Sequence, residues 1–220
     1  RDLLLESDSA IDNTGGEIRA RRILYLKSGG DIINDSTTSS TSGSSANSAY
    51  RKETIDRRGR IILDGEGGEE DNSKGGMHLY AGENIESRTG DIKNHNSGSQ
   101  SYLSGKNVHF DVRTLDNRFT LNSGGESRLG APGREYLSTR VATDHGSHIQ
   151  GKGDIFIHAR EGKVHGRGMQ INSDDGIVGI YGRDGVDLKN GWEERDLISS
   201  QYDKGRRIIG RKENETYREE

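Results

Sequence analysis

The 220-residue sequence contains no cysteine, a single proline (Pro132), a single tryptophan (Trp192) and only 5% aromatic residues. Without cysteine there are no disulfide staples and no thiolate metal sites, a composition compatible with passage through an oxidising compartment. With one proline, turns fall to Gly, Asn, Asp and Ser. Long apolar runs are also missing. Stretches such as Leu3 to Leu5 and Ile61 to Leu63 are three residues long, far short of the ~18 that a membrane-spanning helix needs. Leu, Ile, Val and Phe number 14, 19, 6 and 3, or 42 of 220 (about 19%), which borders on the composition of disordered chains. Two features argue for order: the net charge is only −4, and Ile outnumbers Leu, which favours strands. A thick two-layer core is out of reach, whereas a narrow one filled by one or two aliphatics per strand is not. No sustained basic face is visible, which speaks against nucleic acid as a partner. The chain opens on Arg1, with no initiator Met and no signal peptide, and so reads as an excised piece of something longer.

What the chain does have is repetition. Between Gly146 and Asn190, Ile149, Ile155 and Val164 each follow a turn-forming group, and Met169, Ile177 and Val186 do the same. The offsets are 20 (169−149), 22 (177−155) and 22 (186−164). Three short β segments therefore recur together roughly every 21 residues, and stacked copies can bury apolar stripes too thin to be buried alone. Ala81-Gly82-Glu83-Asn84-Ile85 and Ser104-Gly105-Lys106-Asn107-Val108 align without gaps, and both match Ser28-Gly29-Gly30-Asp31-Ile32. The glycine is read as the positive-φ residue of a turn between strands, and Asn84 is expected to stack on Asn107 in a ladder. Phe119 to Glu126 echoes Leu24 to Asp31, where Leu24 and Leu26 alternate with Tyr25 and Lys27 as in a half-buried strand.

Two stretches break the pattern. Residues 35–60, first Ser/Thr-rich and then charged, and residues 192–220, charged in both signs, cannot enter a narrow core and read as lateral insertions. Residues 65–76 are a shorter polar break, and 130–148, which include Pro132, are a longer turn or a coil with a lateral loop. The expectation is a single all-β domain over residues 1–220: a right-handed parallel β-helix (solenoid) of about eight coils with two lateral insertions. At the ~4.8 Å strand spacing such a rod is roughly 35–40 Å long.

The cassettes Leu24-x-Leu26-x-Ser28-Gly29-Gly30-Asp31-Ile32, Ala81-Gly82-Glu83-Asn84-Ile85, Gly151-Lys-Gly153-Asp154-Ile155-Phe-Ile157 and Gly182-Arg-Asp184-Gly185-Val186-Asp-Leu188 resemble haemagglutinin-type repeats. Such repeats occur in large bacterial two-partner-secretion exoproteins, the filamentous haemagglutinins and the effectors of contact-dependent growth inhibition. The interruptions at 36–48 and 202–207 are similar to breaks in the later repeats of those effectors. The resemblance implies a right-handed parallel β-helix, export by an outer-membrane partner transporter, and a role in adhesion or toxin delivery at the cell surface. This sequence carries fewer Ala and Val, and more charge, than the commonest repeats of that family.

The chemistry-bearing residues each have a plainer structural role open to them. Asp154, Asp174, Asp175, Asp184 and Asp187 could stack carboxylates for Ca²⁺ or for glycoside chemistry, but they sit in Gly-Asp or Asp-Gly turns, whose own hydrogen bonding explains them. His145, His148, His158 and His165 lack the convergent spacing of a Zn²⁺ site and read as solvated or turn histidines. The tandem Gly-rich Ca²⁺ nonapeptide is absent, and no aromatic cluster is seen to recur on one face. Arg206, Arg207, Arg211 and Lys212 alternate with Glu213, Glu215, Glu219 and Glu220 in a mixed solvated face. Trp192 reads as a cap on the last coil, and Asn34-Asp-Ser36 and Asn214-Glu-Thr216 are glycosylation sequons by pattern alone. The expected function is a non-catalytic stalk and adhesion or toxin-delivery module of a secreted bacterial surface protein. It would have no catalytic, cofactor or metal residues and would be a monomeric rod. Its partners would be the outer-membrane transporter and a target-cell receptor. The alternative is a β-helical polysaccharide-degrading enzyme or a phage tailspike fragment.

Overall fold

Short runs with period-2 burial, punctuated by Gly, Asn and Asp, can form only short strands, and the computed structural model consists of such strands. It describes residues 1–65, 75–124, 134–202 and 215–217, and these contain no helix. In chain order the strands fall into threes. β1 (Leu3–Ser7), β2 (Ile11–Asp12) and β3 (Glu17–Ala20) make the first set. β4 (Ile23–Ser28) and β5 (Ile32–Asp35) open the second, β6 (Thr37–Ser44) and β7 (Ser48–Arg57) interrupt it, and β8 (Arg60–Leu63) completes it. The third set is β9 (Gly76–Ala81), β10 (Asn84–Arg88) and β11 (Asp91–Asn94). The fourth is β12 (Gln100–Gly105) and β13 (Asn107–Asp111), then the intervening β14 (Arg113–Gly124) and β15 (Arg134–His145), then β16 (His148–Gly151). The fifth is β17 (Ile155–Ala159), β18 (Val164–Arg167) and β19 (Gln170–Ser173). β20 (Val178–Gly182) and β21 (Val186–Lys189) follow, then β22 (Glu193–Tyr202) and β23 (Glu215–Tyr217).

First strands pair with first strands, in the order β1-β4-β9-β12-β17-β20. Second strands pair as β2-β5-β10-β13-β18-β21, and third strands as β19-β16-β11-β8-β3. Every pairing in these three sheets is parallel. The interrupting strands form a fourth sheet, β23-β22-β15-β14-β7-β6, antiparallel where β7 meets β14, β15 meets β22 and β22 meets β23. The chain divides into two units. One comprises Arg1–Thr37, Ile55–Arg113 and His145–Gly191 and holds the three parallel sheets; the other comprises Thr38–Thr54, Thr114–Asp144 and Trp192–Glu220. The parallel sheets have six, six and five strands, fewer than the eight rows expected once the two insertions are set aside. Part of the difference is that β14 and β15 belong to the antiparallel sheet. The Phe119 to Glu126 echo begins there too, in β14, whose Phe119 lies opposite Tyr50 of β7.

The first unit's core is a set of columns running across the strands. In the second sheet Ile11, Ile32, Ile85, Val108, Val164 and Val186 follow one another in register. In the third, Ile18, Ile61, Ile92, Ile149 and Ile171 do so. Leu26, Leu79, Leu103, Ile157 and Ile180 make the column of the first sheet. The interior members are fully buried, each contributing roughly 1.5–3 kcal/mol of hydrophobic stabilisation. A slip of one residue would turn a whole row's apolar side chains outward, so the columns fix the register.

Polar columns accompany them. Asn84 lies opposite Asn107 as expected; Asn107 Nδ2 donates to Asn84 Oδ1 at 2.9 Å, and Asn84 Nδ2 donates to Asp31 Oδ1 at 3.1 Å. Val164 lies opposite Val186, matching the sequence offset, but Ile149 pairs with Ile171 rather than Met169, and Ile155 with Val178 rather than Ile177. Turn lengths vary by a residue or two, so turn residues are poor anchors for alignment. The cassette glycines serve a different purpose from the one expected. Neither Gly29 nor Gly82 is among the positive-φ glycines. Instead a Cβ on Gly29 would stand 2.3 Å from the Asp8 carbonyl oxygen, and one on Gly82 would stand 2.1 Å from that of Gly29. Stacked turns approach so closely that no side chain fits between them.

Candidate functional site

Alternation along the first sheet sends Leu24 and Leu26 into the core and Tyr25 outward, and the strands paired with β4 do likewise. Five outward rings, Tyr25, Tyr80, Tyr102, His158 and Tyr181, come one each from β4, β9, β12, β17 and β20, the order in which those strands pair. Their successive centroids are 5.9, 5.5, 6.5 and 5.0 Å apart, within the range of favourable aromatic pairs. His78 adds a ring 6.3 Å from Tyr25. A hydrogen bond of 3.0 Å joins Tyr102 Oη and His158 Nδ1. Phe156 stands beside Tyr102 in register, its ring lying across Gly179, where a Cβ would come within 2.9 Å of Phe156 Cδ1. The row is half-buried, and Tyr181 at its end is 59% exposed.

Electrostatically the row is close to neutral. No outward position within β4, β9, β12, β17 or β20 is a carboxylate. Lys27 is within 3.8 Å of Glu6. Arg160, at the border, donates to the carbonyls of Ala81 and Gly82 and to Ser104 Oγ. Burial pushes the His78 imidazole below its usual pKa and so keeps it uncharged at neutral pH. Burial, followed by the neighbouring Tyr102 and Tyr25, holds the Tyr80 phenol above its usual value. The arrangement offers ring faces edged by hydroxyl and imidazole hydrogen-bonding groups, in one line.

From the sequence no aromatic cluster is expected to recur on one face, yet one recurs across the first sheet. His158, read as a solvated or turn histidine, is a strand residue within the aromatic row. The signal was present: the residue between the two apolar ones of each first strand is aromatic at Tyr25, His78 and Phe156, and it becomes visible only once the strands are aligned. The other histidines lie apart. His148 Nδ1 sits 3.2 Å from Asp91 Oδ1, which also faces Arg58 at 3.5 Å. The His145 carbonyl accepts from Thr89 Oγ1. On the outer face of the second sheet, Glu86, His109, His165 and Asp187 follow one another in register. His165 Nδ1 there is 3.3 Å from Asp187 Oδ2, and an open cleft of about 220 Å³ lies beside Glu86 and His109.

The five candidate aspartates do not converge. Asp154 accepts from the Ile177 amide at 3.0 Å and from Gln100 Nε2 at 3.3 Å, and Asp174 accepts from Asn172 Nδ2 at 2.9 Å. Asp175 does not stack on Asp154: its amide donates to the Lys152 carbonyl, and the Asp184 amide to that of Gly162. The Lys189 ammonium, with His165, holds the Asp187 carboxyl below its usual range. Among the described residues no group of three or more His, Asp or Glu could hold a metal ion. Asn34 of the first sequon is buried, with its amide tied to Asn13 and to the Asp91 carbonyl. Trp192 falls in the second unit, where its amide donates to Asp144 Oδ2 at 3.2 Å. Arg206, Arg207, Arg211, Lys212 and Asn214 lie outside the described residues. No protein-family model matches the chain, and no curated protein and no solved structure matches it.

Proposed function

We propose that this chain is a repeat segment of a secreted bacterial surface exoprotein of the haemagglutinin-repeat, two-partner-secretion type. It folds as a right-handed parallel β-helix and serves as a rigid, non-catalytic stalk in adhesion or toxin delivery. The observation that carries this reading is the register of the parallel columns, Ile11-Ile32-Ile85-Val108-Val164-Val186 above all. In a β-helix each set of three strands is one coil, so every coil contributes one rung to each column and buries its neighbour's apolar face. Such a chain needs no distant partner segment in order to fold. A coil that emerges from an outer-membrane transporter can add to the one before it, which suits export of an unfolded chain. The interrupting segments supply contact surfaces whose lengths can vary without disturbing the columns.

In the bacterium that encodes the protein, protease treatment of intact cells should remove this segment, and loss of its partner transporter should leave it inside. A segment that stays protected until the outer membrane is permeabilised would overturn the reading. The second reading, a polysaccharide-degrading β-helix or a tailspike fragment, draws on the aromatic row. Reducing ends released from a polysaccharide by the purified chain, and no longer released after Asp154→Asn or Asp175→Asn, would put that reading in place of the stalk.

A further inference from the structure

We infer that the outer face of the first sheet is a binding site for a linear, uncharged polysaccharide, laid across the strands along the row Tyr25, Tyr80, Tyr102, His158 and Tyr181. This inference rests on that sheet alone and is independent of how the protein reaches the cell surface.

Spacing is the first argument. Each strand supplies one ring, so ring follows ring at the strand separation of ~4.8 Å with a lateral zigzag, giving centroid steps of 5.0 to 6.5 Å. The step is comparable to the length of one sugar residue in an extended chain, so successive sugars can meet successive rings. A sugar ring presents C–H groups on its faces and hydroxyls around its rim. Tyr and His answer both, with an apolar face for stacking and a polar tip for hydrogen bonding. The Tyr102 and His158 tips are already joined at 3.0 Å, which fixes both rings in the middle of the row before any ligand arrives and lowers the ordering cost of binding.

Charge narrows the ligand class. A single nucleic acid strand also stacks on aromatic rows, but it requires a cationic groove along its phosphates. Of the cations on and beside the row, Lys27 faces Glu6 and Arg160 is held by two backbone carbonyls and Ser104, while Arg183, two residues past Tyr181, is a lone exposed cation and not a groove. Burial keeps His78 neutral. The same lack of a cationic groove disfavours polyuronates, and a single carboxylate, Glu6, already facing Lys27 at the edge of the sheet, disfavours basic peptides. An uncharged polymer suits a face this poor in charge.

The test is affinity electrophoresis of the whole chain through native gels containing hydroxyethylcellulose, xylan or galactomannan. Alginate, polygalacturonate and a single-stranded oligonucleotide serve as charged comparisons. Retardation is expected in at least one neutral gel. Tyr181→Ala, at a position 59% exposed, and Tyr102→Leu, checked for an unchanged circular dichroism spectrum, should each raise the dissociation constant about tenfold, or about 1.4 kcal/mol. Tyr102→Phe, which keeps the ring, should retain binding. If Tyr102→Leu fails to fold, Tyr181→Ala decides. Free migration in every neutral gel, equal retardation of wild type and Tyr181→Ala, or retardation by the charged polymers alone would each overturn the proposal.

Discussion

Replacing Asn84 by aspartate tests whether the polar column is a specific hydrogen-bonded ladder or merely polar filling. In the wild type Asn84 Nδ2 and its backbone amide both donate to Asp31 Oδ1, at 3.1 and 2.9 Å, while Asn84 Oδ1 accepts from Asn107 Nδ2 at 2.9 Å. Asn84→Asp preserves the acceptor for Asn107 and the shape of the side chain. It removes one donor and sets a second carboxylate against that of Asp31. The lost hydrogen bond to a charged acceptor is worth about 1.5 kcal/mol at this half-exposed position. The new repulsion adds about 1 kcal/mol, the lower end of the range for charges ~4 Å apart, for a total of about 2–3 kcal/mol at pH 7. Asp31 raises the pKa of the introduced carboxyl in the folded state above its unfolded value. Relative to wild type, the variant is therefore least impaired below the ordinary carboxyl range, where the carboxyl is protonated and can donate again. It is progressively destabilised as pH rises through the raised folded pKa. Urea denaturation at pH 7 and near pH 3.5 reads this as a difference in midpoint between variant and wild type that shrinks at the acid end. Asn84→Ala, which loses both partners irrespective of protonation, should show a deficit of about 2 kcal/mol that changes little with pH. If Asn84→Asp and Asn84→Ala behave alike at both pH values, the ladder does not exist as drawn.

Ile85→Ala truncates a fully buried rung between Ile32 and Val108. It should cost about 2–5 kcal/mol, measured by the same denaturation, whereas Ile177→Ala, 63% exposed, should cost well under 1 kcal/mol. Gly146→Ala would place a Cβ 1.8 Å from the Gly168 carbonyl oxygen; folded, soluble protein should be lost, and a normal β circular dichroism spectrum would refute the close stacking. In the second unit, Arg118 first and then Arg140 hold the Asp116 carboxyl well below its usual range. Its stabilising contribution is present above the ordinary carboxyl pKa and is lost as pH falls through the depressed folded value. Asp116→Asn should therefore flatten the decline in melting temperature below about pH 4, and an unchanged slope would remove Asp116 from the acid response.

Much of the parallel architecture is legible in the sequence, because the Ile or Val after each turn must point inward and recurs once per row. Ile32, Ile85 and Val108 are matched by eye and occupy one column. The assignment of β14 is not legible, since Phe119-Thr120-Leu121 alternates with the same period as Leu24-Tyr25-Leu26, and alternation does not reveal whether a strand's neighbour is parallel. The aromatic row is hidden for another reason. Tyr25 and Tyr80 are 55 positions apart (80−25) because β6 and β7 intervene, and their contact exists only across the sheet. The cassette glycine is legible but its cause is not: backbone crowding between stacked turns, a property of neighbours distant in sequence, selects it at Gly29 and Gly82.

The three segments that supply strands to the antiparallel sheet all leave at one point of the repeat, after a strand of the second sheet: β6 and β7 follow β5, β14 and β15 follow β13, and β22 and β23 follow β21. Parallel columns explain why. An insertion within a strand shifts every later side chain in that row to the wrong face, whereas an insertion between strands leaves the register intact provided the chain returns to the same place. The return is fixed by polar groups within the first unit. Arg58, just before β8, donates to the carbonyls of Thr89 and Gly146 at 3.3 and 3.2 Å and faces Asp91 at 3.5 Å. Arg113, where the second interruption begins, is held to Asp35 by two hydrogen bonds of 3.2 and 2.7 Å. Its amide donates to Thr89 Oγ1 at 3.0 Å. Thr89 occupies this corner in the uninterrupted row that lies between the two interrupted ones, with a positive φ of 59° that an L residue adopts only when its surroundings hold it. The uninterrupted row thus serves as the template on which the interrupted rows above and below re-enter, and the interrupting segments are free to differ in length and composition.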